Sequence, residues 1–247
     1  MYSLTRSEAV AVVRRNIDEQ KMSDASMFGA MFGSDSSDNE ALDRMIASIL
    51  PDAINEVSLS APAAMLEGVG LRSKYDASDS EKGSDYTDVS VPKDGRVISF
   101  SVKGPLLRLV KMRAADSGVV LTDFVSDASP EGRMQLDGNV CGTYDRPVLV
   151  RLHGTGTAPG FRYYSMKDAA AAEFSLAGYL ASAQDNFPIA EFEYVPLLEY
   201  SETAAEYQVS RLLKLPVLYH LTGLVMSAYN DTERAGTYLQ KAAELLK

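Results

Sequence analysis

Cysteine, tryptophan and histidine are nearly missing from this sequence: one cysteine, no tryptophan and two histidines in 247 residues. A lone Cys141 excludes an internal disulfide and a thiolate zinc site within one chain, and it suits a protein made and kept in a reducing cytosol. No apolar run approaches the roughly 18 residues that a membrane-spanning helix needs. The opening MYSLTRSEAVAVVRRN lacks the uninterrupted apolar core of a secretory signal. Positive charge is also short, with 24 Lys and Arg against 34 Asp and Glu, a formal charge of −10. That balance disfavours general nucleic-acid binding, because neutralising phosphates needs a basic surface. It does suit DNA that must slide past without sticking, although its plainest consequence is solubility.

What is present suffices for a sizeable core. Apolar residues make up 46% of the chain, and its length fits one large domain or a domain with an elaborate insertion. Thr5-Arg6-Ser7-Glu8 is a capping box, and Val10, Val13 and Ile17 follow at helical spacing, which predicts a helix over 6–21. The next stretch, MSDASMFGAMFGSDSSDN, is a mobile loop whose Met27, Phe28, Met31 and Phe32 are apolar without periodicity, as in a segment that either tucks against a core or waits for a partner. Ser37 or Asp38 then caps a second helix. Its apolar positions, Leu42, Met45, Ile46, Ile49, Ile54 and Val57, run through Pro51, where a kink or break is expected.

Residues 72–95 are polar and turn-forming and separate this helical start from a β-rich middle. Their Asp76, Asp79, Glu81 and Asp85 do not follow the spacing of a calcium-binding loop and read as a solvated acidic loop. Ile98, Phe100 and Val102 alternate with Ser99 and Ser101 as in a half-buried strand. Further strands are expected at 106–112, 147–152, 161–164 and 189–199, the last as an edge because of Pro196. With few helical crossovers between them, these strands predict a mostly antiparallel sheet. Helix returns at the end. Thr203-Ala204-Ala205-Glu206 forms a second capping box leading into Tyr207, Leu213, Val217, Leu221 and Leu224, and Asn230-Asp231-Thr232-Glu233 opens the last helix. The expected architecture is α+β: helices of 1–71 and 201–247 packed as one bundle, with a β-rich region of 72–200 inserted between them.

Catalytic chemistry has little to stand on. The glycine-rich HGTGTAPG at 153–160 leads into the strand-like FRYY with no following helix and no Walker lysine, so it reads as a hairpin turn rather than a phosphate loop. His153 lies in that turn and His220 on an apolar helix, where a histidine is usually a hydrogen-bonded core or interface residue; nothing in their spacing argues for a metal pair. Cys141, beside Gly142 and Thr143, has no visible base partner. The broad apolar stripe of Leu212, Leu213, Val217, Leu221, Leu224 and Val225 reads as structural, with Gly223 placed to let another helix approach closely.

Four stretches together resemble the head–tail adaptor (connector) proteins of tailed, short-tailed bacteriophages. They are the helix pair TRSEAVAVVRRNIDEQ and LDRMIASILPDAINEV, the strand region VSVPKDGRVISFSVKGPLLRLVKMRAAD, the turn SPEGRMQLDGNVCGTYDRPVLV, and the C-terminal YQVSRLLKLPVLYHLTGLVMSAYNDTERA. The resemblance implies a non-enzymatic virion component without cofactor or metal, assembled in the bacterial host cytoplasm and residing in the neck and tail region of the particle. It implies a homo-oligomeric ring of about twelve copies that binds the portal protein, joins tail or nozzle proteins and lines part of the DNA exit channel, with no sequence-specific DNA binding and no membrane contact. On that reading Met27, Phe28, Met31 and Phe32, with Tyr219 and Tyr229 of the C-terminal helix, are expected to face the portal or a neighbouring copy. Asp76, Asp79, Glu81 and Asp85 are expected to face the channel, where carboxylates repel the DNA backbone. Another tail-ring or capsid-associated protein is the neighbouring reading, and a small hydrolase or metal enzyme using His153 or His220 is the reading of a different class.

Overall fold

The computed structural model describes residues 2–21, 36–66, 71–73, 86–90, 97–102, 104–114, 118–137, 141–143, 145–153, 160–165 and 189–247. The first elements are β1 (Tyr2–Thr5), α1 (Arg6–Lys21), α2 (Ser36–Ser60) and α3 (Ala63–Leu66). Strands follow: β2 (Leu71–Ser73), β3 (Tyr86–Ser90), β4 (Val97–Val102), β5 (Leu106–Ala114), β6 (Val120–Leu121) and β7 (Val125–Ser126). After the short α4 (Pro130–Met134) come β8 (Val148–Leu152), β9 (Gly160–Tyr164), β10 (Ile189–Pro196) and β11 (Glu206–Val209). A 3-10 turn over Arg211–Leu213 leads into α5 (Lys214–Ala228), and α6 (Thr232–Glu244) is last. The chain is thus mixed helix and sheet, divided into two compact units: Met1–Val69 with Leu197–Lys247, and Gly70–Pro196.

In the first unit α1 fills its predicted span, and its cap forms, with the Glu8 N–H donating to Thr5 Oγ1 at 3.2 Å. The buried stripe is Ala9, Val13 and Ile17, with Val10 only half-buried. Of the kink or break expected at Pro51, the break does not occur. The helix α2 is continuous over 25 residues and packs against α1 and α5, and Pro51 is buried, as are Leu50, Ala53 and Ile54. Packing therefore holds the helix across the one hydrogen bond that proline removes.

The second capping box is overruled. Residues 203–205 are not helical, and Glu206–Val209 is a strand that pairs antiparallel with β1, setting Leu4 opposite Tyr207. Tyr207 and Val209 are buried while Glu206 and Gln208 are exposed, a period of two that burial on one face selects over the local helix signal. The helix begins instead at Lys214, which puts Pro216 in the first turn, where the missing N–H has no intrahelical acceptor to lose. This late start leaves Leu212 64% exposed rather than on the buried stripe.

Between α5 and α6 the chain reverses at Asn230, whose φ of 61° is the left-handed conformation that asparagine tolerates. Asp231 then caps α6, its side chain accepting from the Arg234 N–H at 3.2 Å. As its sequence position suggested, Gly223 lets the two helices meet: a Cβ there would lie 2.8 Å from Leu239 Cγ and Cδ2. One buried polar network sets three helices in register. Asn16 Nδ2 donates to Thr222 Oγ1 at 3.0 Å, Thr222 Oγ1 donates to the Leu218 carbonyl at 2.8 Å, and the Tyr238 hydroxyl donates to the Asn16 carbonyl at 3.3 Å.

The second unit holds two sheets, ordered β2-β10-β5-β6 and β3-β4-β9-β8-β7. Their shared core contains Phe100, Leu109, Met112, Leu149, Phe161 and Phe192. Phe161 meets Phe192 at 5.4 Å between ring centroids and Phe100 at 5.6 Å, inside the range where offset and edge-to-face pairs add stability. Among the described residues the pairing is antiparallel except for the parallel pair β7–β8. Far from being an edge, β10 lies between β2 and β5, with Pro196 at its last rung, where a missing donor costs least. Residues 72–95 are not turns alone: Tyr86–Ser90 forms β3 against β4. The antiparallel β8–β9 pairing closes with Leu152 opposite Gly160, and residues 154–159 of the glycine-rich HGTGTAPG lie outside the described residues.

Candidate functional site

In the second unit the parallel pair β7–β8 brings Asp127 beside His153. The imidazole Nδ1 lies 2.5 Å from Asp127 Oδ1, the His153 backbone N–H donates to Asp127 Oδ2 at 3.0 Å, and Ser126 Oγ lies 3.5 Å from the same Nδ1. Serine, histidine and aspartate thus meet, but a nucleophile relay needs the carboxylate on one ring nitrogen and the hydroxyl on the other. Here both face Nδ1, and Ser126 Oγ already accepts from the Ala128 N–H at 3.1 Å. What the arrangement does is fasten a turn. The Asp127 N–H donates to the Arg151 carbonyl at 3.0 Å, Ser129 caps α4, and Gly132 sits so close to Ser126 that a Cβ would strike the Ser126 carbonyl oxygen. The His153 backbone N–H, and then its side chain, hold the Asp127 carboxyl below its ordinary pKa.

The same loop carries the turn singled out in the sequence. Gln135 Oε1 accepts from the Gly142 N–H at 2.7 Å, and Thr143 and Arg146 exchange backbone hydrogen bonds at 3.1 Å. The side-chain-free Gly142 is required, since a Cβ would lie 2.7 Å from the Tyr164 carbonyl oxygen and the Val148 nitrogen. Cys141 is half-buried beside it, its N–H donating to the Asp137 carbonyl.

On the β5–β10 ladder, charges face each other across the strands. Lys111 Nζ lies 3.4 Å from Glu191 Oε1 and 3.7 Å from Glu193 Oε2, and Arg113 lies 3.9 Å from Glu191. Glu193 has no exposed surface at all, so the lysine beside it offsets part of the desolvation of its carboxylate.

In the first unit Tyr2, Glu8 and Lys214 converge from β1, α1 and α5. The Tyr2 hydroxyl donates to Glu8 at 2.6 Å, and Lys214 Nζ donates to the Tyr2 oxygen at 2.7 Å and pairs with Glu8 at 2.6 Å. The hydrogen bond from Lys214, then the one from Tyr2, lowers the pKa of Glu8, and the bond to Glu8, then the one to Tyr2, raises that of Lys214. Both shifts favour the charged forms, so this lysine is held protonated rather than freed as a nucleophile. His220 is hydrogen-bonded as its helical setting suggested, Nε2 lying 2.6 Å from Glu56 Oε2 on α2.

Of the expected interface residues, Tyr219 and Tyr229 are described. Tyr219 is half-buried with its ring 6.0 Å from that of Tyr238, and Tyr229 is half-buried at the C-terminal cap of α5. Met27, Phe28, Met31 and Phe32, and the acidic Asp76, Asp79, Glu81 and Asp85, lie outside the described residues. The Tyr2–Glu8–Lys214 cluster carries no sequence signal, because its members stand as much as 212 positions apart and Glu8 already has a role in a capping box. Among the described residues no group of three or more His, Cys, Asp and Glu is placed to hold a metal ion, and no helix is long and apolar enough to cross a membrane. Comparison with protein-family models, with curated proteins and with solved structures finds no match to this chain.

Proposed function

We propose that the chain is a structural protein of a tailed bacteriophage, a ring-forming adaptor that connects the portal to the tail and lines part of the DNA channel. The observation that carries this reading is the division of the chain. Residues before 70 and after 196 contribute α1, α2, α5 and α6 to one unit, while β2 to β10 fall in the other. That division supports a bundle built from the two ends of the chain with a β-rich region inserted between them, the arrangement that the resemblance implies. Packing of α5 against α1, α2 and α6 supports it further, as does a net charge of −10, which lets DNA pass without adhering. A heterologous contact repeated about an axis closes a ring of about twelve copies, so that modest individual interfaces act together.

Quantitative mass spectrometry of purified particles tests the reading. A copy number near that of the portal protein is expected; hundreds of copies would point to a capsid-associated role, and absence from mature particles would sink the proposal. Replacing Met27, Phe28, Met31 and Phe32 together by Ser is expected to abolish binding to the portal with the circular dichroism spectrum unchanged. Unaltered binding would remove that segment as the docking element.

A further inference from the structure

We draw no further inference here: the strongest candidate, the exposed apolar residues Leu197 and Tyr200 in the segment after β10, set in sequence among Glu199 and Glu202, carries nothing because no feature of the structure shows what covers it.

Discussion

Two glycines in the last helical pair separate close packing from helix propensity. Gly223 on α5 faces Leu239, and a methyl group there must also meet the Ala235 carbonyl oxygen at 3.2 Å, whereas Gly236 on α6 has nothing within 4 Å of an added Cβ. Gly223→Ala is expected to lose about 1 kcal/mol, overpacking outweighing the gain in helix propensity. Gly236→Ala is expected to gain about 1 kcal/mol, because only the propensity changes. Urea denaturation of the two variants checks the opposite signs. Tyr207 offers a second test at this scale. It is 6% exposed, and its buried hydroxyl has no hydrogen-bond partner among the described residues. Tyr207→Phe is therefore expected to leave stability unchanged or raise it by up to about 1 kcal/mol, since the phenol gives up hydration on folding and gains no bond; a clear loss in the same denaturation series would refute this.

At the scale of elements, the two-stranded ribbon β1–β11 depends on its anchors, because two short strands alone are marginal in water. The Tyr2–Glu8–Lys214 cluster is one such anchor, and its pH dependence follows from the two shifts. Glu8 has a lowered pKa, so its contribution is present above the ordinary carboxylate range and is lost as pH falls through the folded value. Lys214 has a raised pKa, so its contribution is full below the ordinary lysine value and is lost as pH rises through the folded value. The stability difference between the wild type and Glu8→Gln is expected to be flat near neutrality and to shrink at both acidic and strongly alkaline pH. Denaturation across a pH series measures it, and a difference that does not shrink at all as pH falls through the acid range would contradict the assignment.

The same ribbon shows what was legible in the sequence. The helix α1 could be read because Thr5 and Glu8 act within one turn, and β4 because Phe100 and Val102 alternate with serines inside six residues. The strand β11 could not, because Thr203 and Glu206 mimic a helix start and only Leu4, some 200 residues earlier, reveals the partner that makes Tyr207 and Val209 a strand. The central place of β10 was hidden for a related reason: a proline suggests an edge, and only the pairing shows that Pro196 ends the ladder. In the polar clusters the single residues were visible but their company was not. His220 was read as hydrogen-bonded, while Glu56 and the facing of Asp127 on His153 are products of tertiary structure.

At the scale of the whole molecule, two units with separate cores are expected to respond separately to mutation. Lys111→Met leaves the buried Glu193 without that cation and should cost the Gly70–Pro196 unit about 3 kcal/mol. Gly223→Ala acts on the other unit. Calorimetry of each variant is expected to lower a different transition, and a single transition shifted by both would show that the units unfold as one.

The pairing of Tyr2–Thr5 with Glu206–Val209 also imposes an order on synthesis. When the ribosome has finished the continuous Gly70–Pro196 stretch, that unit has all its described strands and is free to fold, as domains do while the chain emerges. The strand Tyr2–Thr5 has by then already been made, and Leu4 still lacks the Tyr207 that will lie across from it. The Gly70–Pro196 unit is therefore complete before the unit that brackets it, and Tyr2–Thr5 must wait through the synthesis of that whole stretch for its partner.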